Sequence, residues 1–160
     1  MKESLRVFRE MGSNWWMAQA LTPFGAIVDD QADHSRAAEL LREALTMARD
    51  GGDKRSAASA IDELAALAYA LAEPERAARL PGGAQAIREA IGAPIAPADR
   101  PRLESRVNAV RTALGEQAFA VVYTEGLTMT PEEAIGHALD AATRIVSTMP
   151  RASLQGTARQ

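Results

Sequence analysis

The residues best suited to chemistry in this 160-residue chain are few and scattered. Asp29, Asp30 and Asp33 place carboxylates at i, i+1 and i+4, where a helix face can chelate a hard cation through oxygen. His34 and His137 are the only histidines, and Glu133 precedes His137 by four. No cysteine is available as nucleophile, thiolate ligand or disulfide partner. The glycine pairs Gly51-Gly52 and Gly82-Gly83 lack the spacing and the preceding strand of a phosphate-binding loop. No G-x-S-x-G elbow occurs either. The aspartates fit a solvated inter-helix turn better than a metal site, because no second metal motif accompanies them. Glu133 and His137 fit an i, i+4 pair on an exposed helix face. We therefore expect no metal, no cofactor and no catalytic residue.

Binding is better represented. Both tryptophans are adjacent, at positions 15 and 16. At about 100° per residue, Trp15 aligns with Gln19, Thr22, Ala26 and Asp29, off the apolar stripe of its helix. Forty residues on, the corresponding row is Arg55, Ser59, Asp62, Ala66 and Tyr69. An indole, a phenol, a guanidinium and carboxylates along one groove suit a peptide or a small amphipathic ligand. Trp15 equally suits packing against Leu5 and Phe8 of the preceding helix, and Trp16 suits packing between helices. The basic residues from Arg100 to Arg111 and Lys54-Arg55 read as solvated helix faces.

The elements that position these rows are helices. With a shift of 40, Ala37, Ala38, Leu40 and Ala44 meet Ala77, Ala78, Leu80 and Ala84, and Gly12 meets Gly52. A period of that size marks stacked helical units. Helices are expected from Glu3 to Met11, Trp15 to about Gln31, Asp33 to Arg49, Arg55 to Ala72 and Pro74 to Ile91. Pro23 should bend the second of these, and Pro81-Gly82-Gly83 should kink or break the fifth. Gly92 to Pro101 reads as a linker. Three further helices follow: one ended by Gly115, a short one stopped by Gly126, and one opened by the capping box Thr130-Pro131-Glu132-Glu133. No period-two pattern persists, so the fold is expected to be all-α. Residues 1–92 would hold about two and a half repeats, 93–149 a C-terminal helical cap, and 150–160 a flexible tail.

The repeats resemble tetratricopeptide repeats of the longer kind. Leu21, Phe24, Gly25, Val28, Ala37 and Ala44, then Ile61, Leu64, Ala65, Ala68, Ala77 and Ala84, fall on that family's large and small positions. Pro81 departs from it. The resemblance implies a right-handed stack of antiparallel helix pairs that binds through its concave face. Arg76-Ala77-Ala78-Arg79-Leu80, the run from Ile87 to Pro94, Ala113 to Phe119 and Thr130 to Ala134 look like the C-terminal end of LuxR-type and related bacterial regulators with an NTPase core. Neither a P-loop nor a DNA-binding motif is present here. That resemblance implies the sensor or interaction part of such a regulator. Asp29 to Asp33 also spells the aspartate-rich motif of all-α prenyl-chain enzymes, which this chain is short to be.

Composition narrows the partners. Net charge is −3 at pH 7 and the pI is near 5.5, so nothing draws a nucleic-acid backbone or an anionic membrane in general. Hydrophobic residues make up 47% but aromatics only 4%, so the core must be Ala, Leu, Ile, Val and Met in closely approaching helices. No stretch reaches the roughly 20 apolar residues of a membrane span, and the start has no signal-peptide run. The expectation is a cytoplasmic, non-catalytic protein-, peptide- or small-molecule-binding module, free to self-associate through its N-terminal helix. The alternative is a small all-α enzyme or carrier enclosing a small hydrophobic molecule, recognisable by a deep pocket with perturbed polar groups.

Overall fold

The structure is a computed structural model that describes residues 33–148, and among these every regular element is α-helical. The helices are α1 (His34–Gly51), α2 (Lys54–Ala70), α3 (Pro74–Ile91), α4 (Arg100–Leu114), α5 (Glu116–Leu127) and α6 (Pro131–Thr148). The segments expected as helices over 3–11 and 15–31, and the tail from 150, lie outside the described residues.

Short polar signals set the boundaries. Asp33 caps α1 by accepting from the Arg36 N–H at 3.1 Å, and Asp53 caps α2 the same way from Ser56. Gly52 ends α1 at φ 70°, with Asp53 N–H donating back to the Ala48 carbonyl at 2.8 Å. Gly92, forty residues later, ends α3 in the same way at φ 66°. Consequently α1 and α3 share an 18-residue length as well as the shift of 40. Pro74 occupies the first turn of α3, and Thr130 and Glu133 form the expected capping box of α6 at 3.0 and 3.1 Å.

Packing follows the small residues. α1, α2, α3 and α6 form a ring in which each touches the next, with α6 closing back onto α1 and also reaching α2. The matched residues Ala37, Ala38, Leu40, Ala44 and Ala77, Ala78, Leu80, Ala84 are all buried, as are Ile61, Leu64, Leu67 and Ile145. α5 lies along α3 and carries Phe119 and Val122 inward. α4 leans on α2, α3 and α5.

One expectation changes: α3 runs unbroken through Pro81-Gly82-Gly83, while α5 ends at Leu127, one residue past Gly126. A close contact accounts for these glycines. A Cβ on Gly82 would meet backbone atoms of Tyr123 and Leu127, and a Cβ on Gly126 would meet the Arg79 carbonyl. Gly83 faces Ala134 of α6. Gly82 and Gly126 bring α5 onto α3 at a distance no side chain permits, and Gly83 lets α6 pack tightly beside them. The equivalent residues of α1, Arg42 and Glu43, are only half-buried.

Candidate functional site

A cavity of about 640 Å³ lies between α4 and the hairpin of α2 and α3. That size falls in the ordinary range for small-molecule sites, roughly 300–1,000 Å³. Its walls come from four directions. α2 contributes Asp62, Ala65, Ala66 and Tyr69; α3 contributes Ala77, Pro81, Gln85 and Arg88; α4 contributes Leu103, Val107 and Val110; and α5 contributes Tyr123. Alanines and a proline make up part of the α2 and α3 walls, beside the larger Tyr69, Gln85 and Arg88. Pro81 lacks an N–H for the Ala77 carbonyl, so the usual helical hydrogen bond is missing at the wall of the cavity.

The α4 wall is fastened electrostatically. Glu63 of α2, with its side chain only 10% exposed, accepts from Arg102 at 2.7 Å and from Arg106 at 3.2 Å through both carboxylate oxygens. These arginines, expected as a solvated face, instead bind α4 to α2. Arg102 is held further toward its charged form by the Glu63 hydrogen bond.

One end of the cavity is polar. Arg88 donates to Asp62 across the hairpin, and the two side chains are 11% and 9% exposed. Burial pushes the Asp62 carboxyl up from its usual range, and the Arg88 charge and hydrogen bond only partly counter this. Tyr123 is raised as well, first by burial and then by Glu89 and Asp62. Its hydroxyl makes no hydrogen bond among the described residues. Arg111 lays its guanidinium over the Phe119 ring at 4.7 Å and donates to Asn108 at 2.7 Å. Its Nε is buried without a hydrogen bond, since Glu116 at 3.5 Å approaches without the right geometry.

The structure brings part of the expected binding row here. Asp62, Ala66 and Tyr69 line the cavity. Arg55 and Ser59 lie nearer the start of α2, exposed and outside it. Trp15, Gln19, Thr22 and Asp29 lie outside the described residues, as does most of the aspartate cluster. Of that cluster Asp33 is described, as the N-cap of α1. The sequence reading missed Arg88, Arg111 and Tyr123, which belong to helices not considered as walls. The one available signal was Asp62, a carboxylate among apolar residues that demands a cationic partner.

Neither histidine lines the cavity. Glu133 turns to the Thr130 N–H instead of pairing with His137. His137 is half-buried on α6 with Nε2 unpartnered, and its pKa is lowered by burial and then by Arg79 and Arg76 of α3. Among the described residues no group of three or more His, Asp or Glu is placed to hold a metal ion. No described helix is long and apolar enough to cross a membrane. Compared with protein-family models, curated proteins and solved structures, the chain matches none.

Proposed function

We propose that the protein is a non-catalytic binding module whose ligand is a small, largely apolar molecule seated between α4 and the α2–α3 hairpin. The observation that carries this reading is the 640 Å³ cavity, walled by alanine, proline, valine and leucine and ended by the buried Asp62–Arg88 pair. Such a site gives an apolar body its burial and a few polar groups to fix its orientation. No histidine faces it, and Asp62 is engaged by Arg88, which supports binding over acid–base chemistry.

The same reading takes the chain as a tetratricopeptide-like array from a bacterial cytoplasmic regulator, with the bound molecule as the sensed signal. The shift of 40 between α1 and α3 and their matching glycine caps support the repeat. The row from Arg55 to Tyr69, together with Trp15, Gln19, Thr22 and Asp29, would then extend the surface toward a peptide or protein partner. The regulatory role rests on the sequence resemblance alone.

Binding is tested with the neutral dye phenylnaphthylamine, whose fluorescence rises in apolar surroundings. The wild-type chain should enhance it and Ala66→Phe, which fills the cavity from α2, should not. An Ala66→Phe protein that stays folded and binds the dye as tightly as wild type refutes the reading.

A further inference from the structure

Resting on that reading, we infer that the ligand of the cleft is a neutral apolar alcohol, its chain on the alanine and valine walls and its hydroxyl between Asp62 and Tyr123. Charge balance is the first reason. Six charged side chains line the cleft, and three of its four arginines are compensated within the fold: Arg88 by Asp62, Arg106 by Glu63 and Arg111 by Glu116. Arg100 and Glu104 remain, of opposite sign and exposed near the start of α4. No charge is left over for a charged head group, and burying one without a counter-charge is costly.

The second reason is what the polar end leaves unused. Arg88 holds only Oδ2 of the Asp62 carboxylate, so Oδ1 is an acceptor without a donor among the described residues. The Tyr123 hydroxyl is a donor without an acceptor there. Neither atom is shut away: among the described residues, the buried side-chain atoms without partners are those of Ser35, Arg111 and His137. Asp62 and Tyr123 line the cleft from α2 and α5, close enough that the Asp62 charge, after burial and Glu89, raises the Tyr123 hydroxyl. Stacking on Phe119, with ring centroids 5.4 Å apart, braces the Tyr123 ring while its hydroxyl stays uncommitted. A hydroxyl donates one hydrogen and accepts through its lone pairs, so a single small group answers both residues. An ether accepts from Tyr123 but gives Asp62 nothing. A carboxylate meets Asp62 with like charge, and an ammonium must compete with Arg88 for it.

The test compares octanol with heptyl methyl ether, octanoate and octyltrimethylammonium by calorimetry on the full chain, each below its solubility or micelle limit. Burial alone favours the ether over its isomer, because a buried hydroxyl without a partner costs affinity. A neutral hydrogen bond is worth about two- to tenfold, so a hydroxyl that reaches Asp62 should bind tighter than the ether by about that factor. Both charged chains should bind at least about tenfold more weakly than octanol. Tyr123→Phe keeps the stacked ring and is the fold-neutral variant. It should weaken octanol and the ether alike by about two- to tenfold while leaving phenylnaphthylamine within about twofold. An ether that binds as tightly as octanol, or a charged chain that binds tighter, overturns the alcohol assignment and leaves the cleft standing. So does a Tyr123→Phe protein that binds octanol as wild type does, or failure of all four chains where phenylnaphthylamine still binds. Failure of the dye as well removes the cleft and this inference together.

Discussion

Replacing Gly126 by alanine separates the packing account from a helix-propensity account, because the two predict opposite signs. In an isolated helix the change stabilises by up to about 1 kcal/mol. Here the new Cβ would stand 2.8 Å from the Gly83 nitrogen and 3.1 Å from the Arg79 carbonyl carbon, with the Arg79 oxygen closer still. Favourable contact needs about 3.5 Å, and all three atoms are backbone, so no side chain can swing aside. α5 must move off α3 by something on the order of 1 Å, at an overpacking cost toward the upper end of about 1–3 kcal/mol. Subtracting the propensity gain leaves about 2 kcal/mol of destabilisation, or roughly 4–8 °C in Tm for a chain of this size. Gly136 of α6 is the internal control: it is exposed, and a Cβ there meets nothing within 4 Å. Gly136→Ala should therefore raise Tm by about 2–4 °C. Circular dichroism melts of the two variants beside wild type decide the matter. A Gly126→Ala protein melting at or above wild type would refute the close approach of α3 and α5.

Arg88→Met should cost about 3–5 kcal/mol in urea unfolding, because it strands the Asp62 carboxylate among apolar atoms. The double variant Asp62→Leu/Arg88→Met should recover much of that loss. A cycle in which the two changes simply add would show that the pair is not coupled. Glu63→Gln removes the anchor of Arg102 and Arg106, so amide exchange in α4 should quicken while α1 and α6 keep their protection; unchanged exchange in α4 contradicts its fastening to α2. His137 has a lowered folded pKa, so the unfolded chain takes up its proton first. The stability this neutral imidazole contributes is present above its ordinary value of 6.5 and is lost as pH falls through the lower folded value. His137→Gln should flatten unfolding free energy against pH below about 6.5, and an unchanged slope there would exclude His137 as its source.

The parts of the fold written in local chemistry were legible from the chain alone. Asp33, Pro74, Gly115 and the Thr130 capping box mark helix ends through bonds made within four residues, and they lie where the pattern placed them. Gly82-Gly83 was misread because a glycine inside a helix has the same local signature whether it breaks the helix or admits a neighbour. Only the approach of α5, more than forty residues away in sequence, distinguishes the two. The cleft shows the same division. Asp62, Ala66 and Tyr69 share a face that periodicity reveals. Arg88 joins them because α3 folds back on α2, Tyr123 because α5 seats on the glycines of α3, and Arg111 because α4 is drawn onto α2 by Glu63, pairings that no local pattern encodes.

The claim on which the functional account depends is that a ligand enters between α4 and the α2–α3 hairpin. An amide NMR titration of the full chain with phenylnaphthylamine reads this residue by residue. Saturable shifts should gather at Ala65, Ala66, Tyr69, Val107, Val110 and Tyr123, with α1 unmoved. Shifts centred instead on the Arg55–Ser59 flank or on α1, or none at concentrations where the dye fluoresces, would contradict it.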